Sequence, residues 1–195
     1  MNEGDQMIIL AMTGASGVIY GERILKALRG AGVKIGLMIT DTAREIIRYE
    51  LGIEPETLEE LADECFDASD FTTSINSGSS PFKAMVIAPC TMKTLSAIAN
   101  GYAGNSLTRA ADVCLKERRD LVLVPRETPL RSVHLENMLR VSREGGIILP
   151  AMPGFYHKPA SIEDMADFIA GKVLDVLGIE NDLFRRWTGK DIQQH

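Results

Sequence analysis

Short apolar runs alternate with stretches of helical periodicity along the whole chain, and this alternation constrains the fold more than any other feature. The runs are Met7–Met12, VKIGLMIT (33–40), KAMVIAP, DLVLVP and GGIILP. Their centres carry no polar alternate face, so each reads as a strand buried on both sides. Between them lie Val18–Leu28, TAREIIRYEL, PETLEELADECF (opened by a proline), TMKTLSAIAN, NSLTRAADVCLKERR, SVHLENMLRVSRE and SIEDMADFIAGKVLDVLG. Each of these reads as a helix, the last with Ser161 as N-cap and Asp164 as the acid of its capping box. Phe71–Pro81 is polar and serine-rich and reads as a loop. Strand–helix alternation with two-sided strands predicts an α/β fold, a doubly wound and mainly parallel sheet of flavodoxin/Rossmann-like type.

The 195 residues, 45% of them hydrophobic, suit one such domain spanning 1–195. No Pro/Ser-rich linker, repeat or low-complexity tract divides it. The formal net charge of -6 disfavours nucleic acid as a partner. No apolar run reaches membrane-spanning length, and MNEGDQ is acidic where a signal peptide is basic, so the expected address is the cytoplasm, away from membranes. Cys65, Cys90 and Cys114 form no C-x-x-C pair, and His134, His157 and His195 show no ligand spacing. No metal is expected.

In a doubly wound sheet ligands bind beyond the carboxyl ends of the strands. The strand exits here are TGASG, ITDTA, APCTMKT, VPRETP and LPAMPGFYHKP. The first, Gly14-Ala15-Ser16 before Gly17, offers backbone N–H groups and a hydroxyl at a helix start, which suits a phosphate or a tight structural turn. A Walker loop is absent. The turn differs from T-G-x-x-G-x-x-G of extended short-chain dehydrogenases because Gly21 comes one residue late, and no tyrosine has a lysine four residues on. Thr40 and the segment Thr91-Met92-Lys93-Thr94 add hydroxyls and one cation, a set that favours a mononucleotide with one terminal phosphate. Cys90 reads as a small buried residue after proline.

A second set is cationic. Arg109 and Lys116 lie seven apart and so share a helix face. Arg126 follows a strand directly, Tyr156 sits in the loop MPGFYHKP, and Lys172 lies in the last helix. Singly, each suits a solvated face. Gathered near strand exits of an acidic protein, they suggest a second anion site.

TGASGVIYG, APCTMKTLSAIANGYAGNSLTRAADVCLKERR, LVLVPRETPLRSVHLENMLR and GGIILPAMPGFYHKP together resemble the flavin prenyltransferases of the UbiX/Pad family, over about Met7 to Trp187. The resemblance implies a homo-oligomer, commonly a dodecamer. It implies transfer of a dimethylallyl group from dimethylallyl phosphate to N5 and C6 of reduced FMN, without metal. The product, prenylated FMN, serves UbiD-type decarboxylases. It places FMN at Gly14, Ala15, Ser16, Thr40, Thr91, Met92, Lys93, Thr94 and Arg126, and the prenyl phosphate at Tyr156 and Lys172 with Arg109 and Lys116 beside them. Glu50 and Glu127 fall where the family has acids near the reaction, with Glu127 the better candidate for shuttling protons. Ser16 is placed to orient the phosphate or flavin N5. Trp187 falls in a C-terminal segment, about 180–195, that closes over the prenyl group. Thr40 and Thr91 replace the frequent serine and keep the hydroxyl. Lys172 replaces arginine and loses the planar fork, which implies a looser phosphate grip.

Each role has a plainer alternative: Glu127 as a partner of Arg126, Glu50 as a solvated helix-end acid, Trp187 as packing. Rival functions are an FMN-dependent cysteine decarboxylase of the phosphopantothenoylcysteine decarboxylase type and a non-catalytic flavin-binding protein. The first carries an early active-site histidine, whereas every histidine here lies after residue 130. The second has no use for a second phosphate clamp.

Overall fold

A computed structural model describes residues 7–189. MNEGDQ, His195 and the end of the expected C-terminal segment lie outside the described residues. Six strands form one sheet: β1 (Ile8–Met12), β2 (Ile35–Ile39), β3 (Glu64–Cys65), β4 (Ala84–Cys90), β5 (Asp120–Pro125) and β6 (Ile147–Ile148). Every pairing is parallel, and the order is β3-β2-β1-β4-β5-β6, that of the Rossmann type of doubly wound sheet.

Successive side chains of a strand point to opposite faces, and both faces here are dry. Leu10, Met12, Ile35, Leu37, Val86, Ala88, Val122 and Val124 pack against α1 (Val18–Gly30), α2 (Asp41–Leu51) and α7 (Ile162–Val176). Ile9, Ala11, Met38, Met85, Ile87, Leu121 and Leu123 pack against α4 (Met92–Ala99), α5 (Ser106–Lys116) and α6 (Ser132–Arg143). The uninterrupted apolar runs therefore serve two cores.

Three boundaries differ from the sequence reading. The helix expected over PETLEELADECF stops early as α3 (Pro55–Glu59). The open edge of β2 captures the second half of that segment: Asp63 N–H donates to the Ile35 carbonyl (2.9 Å), its carboxylate accepts the Ile35 N–H (2.8 Å), and Phe66 N–H donates to Leu37 (2.8 Å). α5 ends at Lys116, where Arg118 in the left-handed region (φ 58) turns the chain into β5. The GGIILP strand shortens to β6, although Leu149 N–H still bonds the Leu123 carbonyl (2.8 Å). The Ser161–Asp164 box forms as read: Ser161 accepts the Asp164 N–H and the Asp164 carboxylate accepts the Ser161 N–H, both at 3.1 Å.

Candidate active site

The connections after β1 and β4 leave for opposite faces, α1 to one and α4 to the other. A crevice opens where they part. Thr13, 2% exposed, staples its two walls. Its hydroxyl donates to the Pro89 carbonyl (2.7 Å) and accepts the Thr91 N–H (2.9 Å). Thr13→Val removes both bonds in an unchanged volume and leaves a buried N–H unpaired. It is expected to cost about 1–3 kcal/mol and to lower the melting temperature by roughly 2–10 °C. An unchanged melt would show that the staple contributes nothing.

Beside the staple lies a cavity of about 240 Å³ lined chiefly by Gly14, Thr40, Thr42, Thr91, Lys93 and Thr94. Two helices begin there. Thr40 caps α2 by accepting the Ala43 N–H (3.4 Å). Thr91 caps α4 by accepting the Thr94 N–H (3.1 Å) and donates to the Thr94 hydroxyl (3.0 Å). The caps take the third amides, and the first amides of each helix have no partner within it. Two positive helix ends, four threonines and Lys93 make a cavity suited to one compact anion.

The turn between β1 and α1 forms the adjacent wall. Ala15 is buried and Ser16 exposed. The Ser16 carbonyl accepts Arg126 Nε (3.0 Å), which ties the β5 exit to the turn. Gly17 stands in the left-handed region (φ 94) and precedes α1. The start of α1 is already occupied by protein: Glu50 Oε2, from α2, accepts the N–H groups of Gly17 (2.8 Å) and Val18 (3.2 Å). Burial raises the Tyr20 phenol above its usual range, and Arg126 opposes the shift. Met92 opens α4, half-buried at the same mouth. Glu127 is exposed and accepts the Thr128 N–H (3.1 Å). Burial pushes the Cys90 thiol up to about 12, so it supplies no thiolate at neutral pH.

Beyond β6 the chain builds an aromatic and cationic patch. The Tyr156 ring lies 5.8 Å, edge to face, from each of His157, Phe168 and Trp187. Lys172 Nζ is 3.5 Å from Asp175. Asp175 holds Arg186 with two bonds of 2.5 and 2.7 Å, and that guanidinium, above all, keeps the Asp175 carboxyl below the usual carboxylate range. Arg186 also covers the Phe184 ring at 4.5 Å. Tyr156, Trp187 and Lys172 thus fall in one region of the chain.

Arg109 and Lys116 do not join them. They lie on α5, in the opposite layer of the sandwich. Arg109 pairs with Asp112 (2.5 Å) and donates to the Asn76 carbonyl (3.3 Å), and Lys116 pairs with Glu117. The sequence reading passed over Thr13, Thr42 and Arg186. Thr13 and Thr42 flank residues it did single out, within TGASG and ITDTA. Arg186 is the neighbour of Trp187 and comes into play only through Asp175, eleven residues earlier.

Residues 1–174 match the Flavoprotein family. A curated flavin prenyltransferase UbiX from Methanothermobacter thermautotrophicus is 97% identical over 187 residues, covering 96% of this chain and 98% of that protein. The crystal structure of AnUbiX (PadA1) in complex with FMN and dimethylallyl pyrophosphate superposes with a TM-score of 0.92 at 43% identity, covering 94% of this chain and 98% of that one. A dodecameric FMN-dependent UbiX-like decarboxylase from Escherichia coli O157:H7 superposes equally well, TM-score 0.92 at 42% identity, over 94% of this chain and 100% of that one.

Proposed function

The chain belongs to the Flavoprotein family, among its UbiX flavin prenyltransferases, and from that premise we propose how its residues divide the reaction. It is an enzyme, a flavin prenyltransferase that uses FMN. The observation that supports this division of labour is the presence of two separate clusters of donors and cations, the threonine cavity with Lys93 and the Tyr156–Lys172 patch.

The threonine cavity fits the single phosphate of FMN. It has hydroxyls from Thr40, Thr91 and Thr94, two helix N-termini and the Lys93 ammonium, and it needs no counter-ion from outside. Gly14, Ala15, Ser16, Met92 and Arg126 line the way out of it and hold the rest of the cofactor. When bound in reduced form, FMN supplies the electron-rich N5 and then C6 that accept the dimethylallyl group.

The donor is dimethylallyl phosphate, and breaking its allylic C–O bond places charge on the leaving phosphate. Tyr156 and Lys172 receive that charge. Trp187, edge to face with Tyr156, gives the hydrocarbon a π surface. Glu127, exposed at the β5 exit beside Arg126, shuttles the proton lost when the second bond closes, and Ser16 orients the phosphate or flavin N5. Glu50 acts from its place under α1, where it fixes the turn that carries Ser16. Arg109 and Lys116 complete the clamp from a second copy, since in one chain they sit in the other layer. The assembly is a homo-oligomer, the dodecamer of its relatives, with the C-terminal segment closing over the site.

None of the described helices is long and apolar enough to cross a membrane. The enzyme works in the cytoplasm and hands prenylated FMN to a UbiD-type decarboxylase. Incubation with reduced FMN and dimethylallyl phosphate is expected to release a flavin heavier by one five-carbon unit in the mass spectrum. Unmodified flavin, recovered together with oxidative decarboxylation of a cysteinyl peptide, would overturn the assignment.

A further inference from the structure

We propose that His157 positions Tyr156 and Trp187 through the face of its ring, and that its nitrogens neither transfer protons nor bind phosphate. The imidazole stacks on Phe168, with centroids 5.2 Å apart and planes 12° from parallel. Tyr156 meets it edge to face at 5.8 Å and Phe184 at 6.4 Å. The group joins three segments: the loop after β6, helix α7 through Phe168, and the C-terminal segment through Phe184 and Trp187.

The nitrogens point the other way in function. Both are buried, and neither has a hydrogen-bond partner among the described residues. A histidine that works as an acid, a base or a phosphate ligand presents at least one nitrogen to its reactant. Asp164 on α7 is engaged elsewhere: its Oδ2 accepts the N–H groups of Ala160 (2.8 Å) and Ser161 (3.1 Å) and caps its helix. From the C-terminal segment, Arg186 already places a cation over Phe184, and Lys158 follows in the same loop. The pocket offers the ring face good aromatic contacts and offers its nitrogens no acceptor among the described residues.

A phenylalanine should therefore do what His157 does. A glutamine of similar reach keeps hydrogen-bonding atoms and loses the plate. The chain has one tryptophan, Trp187, so intrinsic emission reads the docking of the C-terminal segment directly. In the full-length protein, His157→Phe is expected to keep the wild-type emission maximum and acrylamide quenching. It should melt no lower than wild type, because two unpaired buried groups are gone. Its KM for dimethylallyl phosphate should stay within about threefold. His157→Gln is expected to shift emission to the red, to quench more readily and to raise that KM about tenfold with little change in kcat. FMN titration should be normal for both, which controls for folding.

If His157→Phe is as damaging as His157→Gln, the nitrogens are working and the proposal falls. It also falls if neither variant moves the emission. The KM readout, unlike the emission, rests on Tyr156 holding the prenyl phosphate. Emission that moves as expected with KM unchanged would sustain the ring-face role and refute that assignment.

Discussion

Replacing Lys172 with alanine is expected to slow prenyl transfer roughly tenfold to a hundredfold while FMN affinity barely changes. The variant loses one charge-assisted hydrogen bond, worth about 1.5–3 kcal/mol. If that bond strengthens as the phosphate leaves, the loss falls on the barrier. The structure favours such a role. Asp175 is held by Arg186 at 2.5 and 2.7 Å, whereas the lysine stands 3.5 Å away, so the carboxylate keeps its partner when Lys172 turns to a ligand. Lys172 also lines no part of the threonine cavity. Lys172→Arg, which keeps the charge and adds a fork, should retain the rate. A paired FMN titration and single-turnover prenylation rate decides the matter. Lost FMN binding with an unchanged prenyl-phosphate dependence would mean that the two anion sites are assigned the wrong way round.

Gly14→Val is expected to weaken FMN binding by about 10–100-fold. A Cβ at this position would drive into the Thr42 side chain, on the first turn of α2. Overpacking of this kind costs about 1–3 kcal/mol, and the strain falls on the gap between β1 and the start of α2. Relief requires α2 to move outward with its Thr40 cap, which opens the cavity proposed to hold the FMN phosphate. The Thr13 staple to β4 does not involve α2, so the sheet should survive and FMN affinity should drop out of proportion to stability. Gly30→Ala is the control, because a Cβ there meets nothing within 4 Å. Titration of both variants with FMN tests the claim, and wild-type affinity in Gly14→Val would refute it.

The sheet was legible in the sequence because both of its faces are apolar. Nothing polar interrupts β1, β4 or β5, and glycine, proline and hydroxyl residues mark their ends. The edges were harder to read. Glu64–Cys65 is a strand only because β2 offers unpaired backbone groups beside it, and its own residues favour the helix that precedes it. The threonine cavity could be anticipated, since Thr40 and Thr91 are local helix caps that happen to converge. Pairings across long separations could not. Glu50 reads as a helix-end acid until α2 folds against the start of α1, thirty-three residues away from Gly17. Arg109 and Lys116 read as neighbours of Tyr156 because a sequence does not say which layer a helix joins.

The Glu50 contact has a consequence for which nucleotides the fold can accept. In dinucleotide-binding relatives of this topology a pyrophosphate lies across the first helix start and takes its amide protons. Here a carboxylate of the chain itself holds those protons from Gly17 and Val18, so a second phosphate would arrive at a negative charge instead of a positive one. At the crevice, the starts of α2 and α4 hold no such carboxylate from another helix among the described residues, although α2 has its own Asp41 in the first turn. The arrangement is thus expected to count phosphates: a ligand bearing one should find a seat in the threonine cavity, and a ligand bearing two in tandem should be repelled from the first helix start, where Glu50 already accepts the amide protons.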